Sequence, residues 1–187
     1  MYLSIDNFFL RKETAALVIV DIQERLAAAM NEKQKVLTNT LHLIEAANLL
    51  ALPLLVTEQY PKGLGPTVPE IKEAIQFLTP VEKITFSCCG EQSFVKAVHD
   101  AARMQIILVG METHVCVLQT CLDLLKQGYA VHVVSDGVCS RAKQCYKAGI
   151  EFMRDAGAVI TCAETVLFQL LEKAGSEEFK VISKRIK

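Results

Sequence analysis

Ala15-Ala-Leu-Val-Ile-Val20 is an unbroken apolar run that stops at Asp21. Val18, Ile19 and Val20 are β-branched, and no polar residue alternates with them. A run of this kind reads as a strand buried on both faces, the pattern of a parallel sheet covered by helices. Similar short apolar segments recur along the chain at 54–57, 81–86, 105–109, 130–135 and 158–161. The stretches between them carry helical spacing. Val36, Leu37, Leu41, Ile44, Ala47 and Leu50 share one face of a segment from Asn31 to about Ala51. Asn31 is placed to cap it, with Gln34 completing a capping-box pattern, and Pro53 stops it. Further helices are expected at 68–77, 90–102, 115–127, 140–156 and 164–173. Gly128 and Gly157 close two of them as left-handed caps. Strand and helix alternate throughout. The expected fold is therefore α/β: a single domain of three α/β/α layers around a six-stranded parallel sheet, Rossmann-like in plan. The domain spans 1–187, with a core at about 13–173 and a helical tail at 174–187, where Lys184, Arg185 and Lys187 are expected to form a solvated end.

Composition narrows the function classes. The 187 residues are 51% hydrophobic and 22% charged, with 9 glycines and 5 prolines, which excludes disordered and collagen-like chains. The formal charge of −1 lacks the basic excess by which proteins neutralise nucleic-acid phosphates, so no nucleic-acid partner is expected. No apolar run approaches the roughly 20 residues that span a bilayer. Seven cysteines, an odd number at irregular spacing with no CxxC, point to free thiols in a reducing, cytoplasmic setting, with mitochondrial or nuclear residence left open.

In an open parallel sheet, ligands bind at the carboxyl ends of the strands. The polar residues expected there are Asp21, Glu58 and Gln59, Lys83, the segment Gly110-Met-Glu-Thr-His-Val-Cys116, and Asp136. Asp21 reads either as a loop acceptor or as a functional carboxylate. A carboxylate at a buried strand end needs a cationic or donor partner. Thr113 is a plausible helix cap that would put Cys116 in a first helical turn, where free amides favour a thiolate or an oxyanion. Cys116 also reads simply as one more buried small residue. Gln59 to Pro69 holds three prolines and two glycines and is long enough for a functional loop. Gly63-Leu-Gly65 lacks the remainder of a phosphate-loop motif.

Asp21 in Val-Asp-Ile-Gln23, the isolated Lys83, and Gly110-Met-Glu-Thr-His-Val-Cys-Val117 together resemble the isochorismatase-like cysteine hydrolases. Lys83 lies 62 residues after Asp21, and Cys116 a further 33 residues on, in the family's order. The resemblance runs from about residue 13 to 173, and Thr57 to Gly65 is most similar to the isochorismatase domain-containing proteins. It implies an Asp21–Lys83–Cys116 triad. Cys116 would be the nucleophile, Asp21 its proton acceptor, and Lys83 the cation that holds the Asp21 charge. It also implies a cis peptide between Met111 and Glu112, which would aim the amides of Glu112 and Cys116 at a developing oxyanion. Where nicotinamidases of this superfamily carry an Asp and His metal cluster, this chain has Glu58-Gln59-Tyr60-Pro61, so no metal and no other cofactor is expected. Gln23, Tyr60 and Leu64 are the candidate substrate contacts. The resulting expectation is a metal-independent cysteine hydrolase of a small amide, imide, ester or related compound, with a non-catalytic binding or scaffold protein as the alternative. The resemblance further suggests a homo-oligomer. Asp21 beside a thiol would raise its pKa, so either Lys83 offsets that effect or Asp21 carries the proton at rest.

Overall fold

Residue alternation along the first strand builds the layers. In β1 (Ala15–Val20) every residue is buried. Ala15, Leu17 and Ile19 point into one apolar cluster, and Ala16, Val18 and Val20 into the other. Both faces are thereby covered, which is why no polar residue interrupts the run. The computed structural model describes residues 5–186. It holds six parallel strands, β1, β2 (Leu54–Gln59), β3 (Val81–Lys83), β4 (Gln105–Met111), β5 (Ala130–Cys139) and β6 (Val159–Thr161). Their spatial order is β3-β2-β1-β4-β5-β6. The order reverses between β1 and β4, so the crevice for a ligand lies beyond the ends of those two strands.

The helices divide between the faces. Those packed on the Leu17 face are α2 (Lys33–Leu49), α4 (Pro69–Ala74), α8 (Ala163–Leu171) and α9 (Glu177–Arg185). On the Val18 face lie α5 (Gln92–Asp100), α6 (Leu118–Lys126) and α7 (Lys143–Asp155). Two short helices, α1 (Glu24–Ala28) and α3 (Pro61–Leu64), fill connections expected to be irregular. Gly128 and Gly157 adopt φ of 91° and 104°, the left-handed geometry expected of helix-ending glycines.

Several local expectations are corrected. Asn31 does not cap α2; Glu32 is the flanking residue and no side chain bonds the first amides. β3 stops at Lys83 rather than Phe86, because the carbonyls of Thr85 and Phe86 turn back to accept from Lys83 Nζ at 3.3 and 3.1 Å. β5 runs on to Cys139, and α7 begins at Lys143, because the Arg141 amide donates instead to the Glu112 carboxylate at 3.0 Å. The tail is docked: Ile182 is fully buried, and the Arg185 guanidinium reaches Glu45 at 3.7 Å and His42 at 3.2 Å. Lys187 lies outside the described residues. Among those residues no helix is long and apolar enough to cross a membrane.

One glycine sets the spacing of the central strands. Gly110 pairs with Val20 at φ +134°, and a Cβ there would fall 2.0 Å from the Val20 carbonyl oxygen. Any side chain would push β4 away from β1 beside Asp21. Gly110→Ala should therefore cost about 2–4 kcal/mol, through overpacking and backbone strain together. Gly128→Ala, at a left-handed position with open space around it, should cost only about 1 kcal/mol. Urea denaturation of the two variants checks the difference.

Candidate active site

Asp21 leaves β1 in a left-handed conformation, φ 51°, with its carbonyl accepting from the Gln23 amide at 2.9 Å. Aspartate tolerates this region better than most residues. The turn leaves the carboxylate at the carboxyl end of this central strand with no exposed surface. Lys83 Nζ meets Oδ2 at 2.7 Å, and the Thr57 hydroxyl donates to Oδ1 at 2.7 Å. Lys83, 2% exposed, also meets Gln59 Oε1 at 2.7 Å and the Thr85 and Phe86 carbonyls, so its three hydrogens are shared among four acceptors. The ammonium is therefore fully satisfied inside the protein, as a buried cation must be. Burial works against its charge, but Asp21, Cys88 and Cys116 together outweigh that, and its pKa is raised.

Cys116 completes the group from the other side of the switch point. After β4 the Met111–Glu112 peptide is cis, and the chain makes a single π-helical turn, Thr113–Val117, before α6. Thr113 does not cap this turn; it lies within it, its hydroxyl buried, and Glu112 is the flanking residue. Gly149 of α7 lets the turn approach: a Cβ there would sit 3.1 Å from the His114 Cα and the Thr113 oxygen. The Cys116 thiol lies 4.0 Å from Gln59 Oε1 and near enough to Asp21 for that charge to act on it. The expected lowering of its pKa by a helix start is reversed. Burial first, and then the Asp21 charge, push the thiol up to about 12 despite Lys83. At rest the proton sits on sulfur.

Other candidate residues fall into different places. Gln23 is fully buried and braces backbone: its amide donates to the Gln59 carbonyl at 3.0 Å and the Gly65 carbonyl at 2.6 Å, and its Oε1 accepts from the Gln59 amide at 2.8 Å. It holds the loop rather than presenting a free amide. Tyr60, 52% exposed, packs its ring over Gly63, and Leu64 is half-buried at the end of α3. The Glu112 carboxylate is tied to Arg141 Nε at 3.1 Å, which pins the turn to the β5–α7 connection. Gln59, which contacts both Lys83 and Cys116, was visible in the sequence only as a strand-end polar residue. Thr57 and Cys88 gave no signal at all. Among the described residues, no group of three or more His, Cys, Asp or Glu side chains is gathered as a metal site.

Comparison with known proteins agrees with this architecture. Residues 15–165 match the isochorismatase domain. A secreted isochorismatase effector, Isc1, of Phytophthora sojae is 41% identical over 178 residues, covering 93% of this chain and 85% of that protein. Mouse isochorismatase domain-containing protein 2A is 36% identical, over 94% of this chain and 84% of its own. Among solved structures, the MAR1 ribonuclease of Caenorhabditis elegans superposes with a TM-score of 0.89 at 38% identity, covering 95% of this chain and 92% of that one. The ycaC gene product of Escherichia coli, an octameric hydrolase of unknown specificity, does so with a TM-score of 0.90 at 25% identity, over 99% and 92% of the two chains.

The buried charges set two stability expectations. Lys83→Met strands the Asp21 carboxylate and should cost about 3–5 kcal/mol. Adding Asp21→Asn should recover much of that loss, as measured by urea denaturation. The thiols act at high pH. Cys88, Cys116, Cys121 and Cys139 are raised from 9.0 to about 12 and Cys89 to about 11, in each case mainly by burial. The folded protein therefore holds these protons more tightly than the unfolded chain does. Their stabilisation is complete below the unfolded value and is lost as pH rises through the folded values. The urea midpoint should fall steeply once pH passes about 9, and replacing Cys121 by Ala should soften that slope.

Proposed function

Because the chain belongs to the isochorismatase family, whose hydrolase fold it shares, we propose that it is a metal-independent cysteine hydrolase of a small amide, imide, ester or related compound. The observation that carries this reading is the set of groups around Asp21: one carboxylate held by Lys83 and Thr57, with the Cys116 thiol near enough to feel its charge. Such a group can move one proton without exposing a charge to the interior. Cys116 Sγ attacks the carbonyl carbon as its proton passes to Asp21, and the carbonyl π pair becomes an oxyanion. Lys83 keeps its proton and balances whichever partner is anionic. The amides of Glu112 and Cys116 are the proposed donors to that oxyanion. Collapse expels the amine or alcohol, which takes the proton from Asp21. Asp21 then draws a proton from water as the hydroxide carbon–oxygen bond forms; the carbon–sulfur bond breaks, sulfur takes that proton back from Asp21, and the carboxylic acid product leaves and loses its own proton to solvent. Tyr60 and Leu64, on the loop after β2, are the proposed substrate contacts. A homo-oligomer in a reducing, cytoplasmic setting fits the octameric relative and the seven free thiols.

The ribonuclease among the similar structures favours a second reading, cleavage of RNA. The near-neutral charge of this chain argues for the small-molecule reading. Hydrolysis of a panel of small amides, imides and esters, run beside an RNA substrate, separates the two. Cys116→Ala and Asp21→Asn should each lower small-molecule turnover by about 100-fold or more. RNA cleavage abolished by Cys116→Ala, with no turnover on the panel, would reverse the assignment.

Proton transfer to Asp21 also predicts how the thiol labels. A lone thiol gains about tenfold in alkylation rate per pH unit below its pKa, because only the thiolate reacts. A carboxylate that takes the thiol proton during attack adds a second path, one that needs no prior ionisation and so does not depend on pH. Iodoacetamide labelling of Cys116 should therefore climb less steeply with pH in the wild type than in Asp21→Asn. Peptide mapping by mass spectrometry distinguishes Cys116 from the half-buried Cys145 and Cys162.

A further inference from the structure

Cys88 is a buried thiol beside the site for which the proposed chemistry has no use. It opens the short 3-10 turn Cys88–Gly90 after β3, has no exposed surface, and is fixed by its own amide, which donates to the Thr120 hydroxyl at 3.0 Å. Its sulfur lies 3.6 Å from Thr57 Oγ1, within reach of a thiol donor. Thr57 is fully buried too, and its oxygen is 2.7 Å from Asp21 Oδ1.

The direction of both bonds follows from counting hydrogens. Thr57 has one hydroxyl hydrogen, and the carboxylate oxygen it faces can only accept. That hydrogen therefore goes to Asp21, and the Thr57 oxygen is left with lone pairs toward Cys88. The thiol supplies the missing donor, since burial and the Asp21 charge hold its proton up to about 12. The chain runs Cys88 S–H to Thr57 O–H to Asp21 Oδ1, while Lys83 holds Oδ2.

We propose that Thr57 and Cys88 are positioning residues for the proton acceptor: Cys88 orients the Thr57 hydroxyl, and Thr57 holds the Asp21 carboxylate turned toward Cys116. This rests on the reading that Asp21 takes the Cys116 proton. The titratable groups that reach Asp21 are Lys83 from β3, Cys88 from the turn behind it and Cys116 from the π turn. All are present in the variants below unless replaced by design.

The test follows iodoacetamide labelling of Cys116 in the full-length protein against pH and reads the pH-independent part of the rate, the part that Asp21→Asn should remove. Thr57→Val takes away the bond that aims the carboxylate, so this part should fall by about tenfold. Thr57→Ser should return it to the wild-type value. Cys88→Ala should lower it by less, since Thr57 keeps its hydrogen and loses only its orientation; Cys88→Ser should restore it. Urea denaturation of each variant separates a folding defect from a lost path, and the two serine variants keep the test open if Thr57→Val unfolds. An Asp21-dependent, pH-independent part that is unchanged in both Thr57→Val and Cys88→Ala overturns the positioning role alone. A wild-type rate that climbs with pH as steeply as that of Asp21→Asn overturns the role together with the reading beneath it.

Discussion

A carboxylate and an ammonium meet at 2.7 Å in the interior, neither with any exposed side-chain surface. Taking either charge out of water alone would cost several kcal/mol. The surroundings are arranged to make the pair tolerable. Asp21 also accepts from Thr57, and Lys83 also donates to Gln59 and to two carbonyls of the chain that follows it. The end of β3, the course of residues 84–86 and the placing of Gln59 all follow from satisfying that one ammonium. The bracing amide of Gln23 and the tight loop of α3 then follow from holding Gln59 in place.

Such a pair is poor evidence of stability for its own sake, since well-packed apolar residues often serve a core equally well. Its position at a strand-order reversal, beside a thiol, fits the proton transfer proposed above. Cys116 is not activated as a resting thiolate. Burial and Asp21 keep it protonated, so in the proposed mechanism it becomes a nucleophile only as Asp21 accepts the proton. This arrangement protects a buried thiol from adventitious electrophiles while leaving it usable toward a bound carbonyl.

Much of this was legible in the sequence, for a physical reason. A parallel strand buried on both faces has no freedom to alternate polar and apolar residues, so β1, β4 and β5 declare themselves, and a polar residue at the end of such a run stands out. Asp21 stood out that way; Lys83 and Cys116 were marked only as residues near strand ends, and their grouping with Asp21 came from the resemblance to the isochorismatase-like hydrolases. Thr57 and Cys88 were not marked, because a threonine in a strand and a cysteine in a core look like ordinary packing until their partners are known. The π-helical turn at Thr113–Val117 was read as a plain helix start, since its geometry comes from Gly149 of a helix distant in sequence. The capping role given to Asn31 failed because the chain enters α2 one residue later, at a boundary that local preference leaves loosely determined.

The cation of the site hangs on the weakest part of the sheet. β3 is three residues long and has a neighbour on one side only. Edge segments with few ladder bonds open locally at free energies well below that of global unfolding. Each such opening draws Lys83 away from Asp21 while the other five strands stay paired. The proposed chemistry is therefore tied to the breathing of one short margin. On gentle warming the protein should lose its function in a still-folded state, and slow amide exchange across β1 and β4 should persist after the margin has begun to exchange freely.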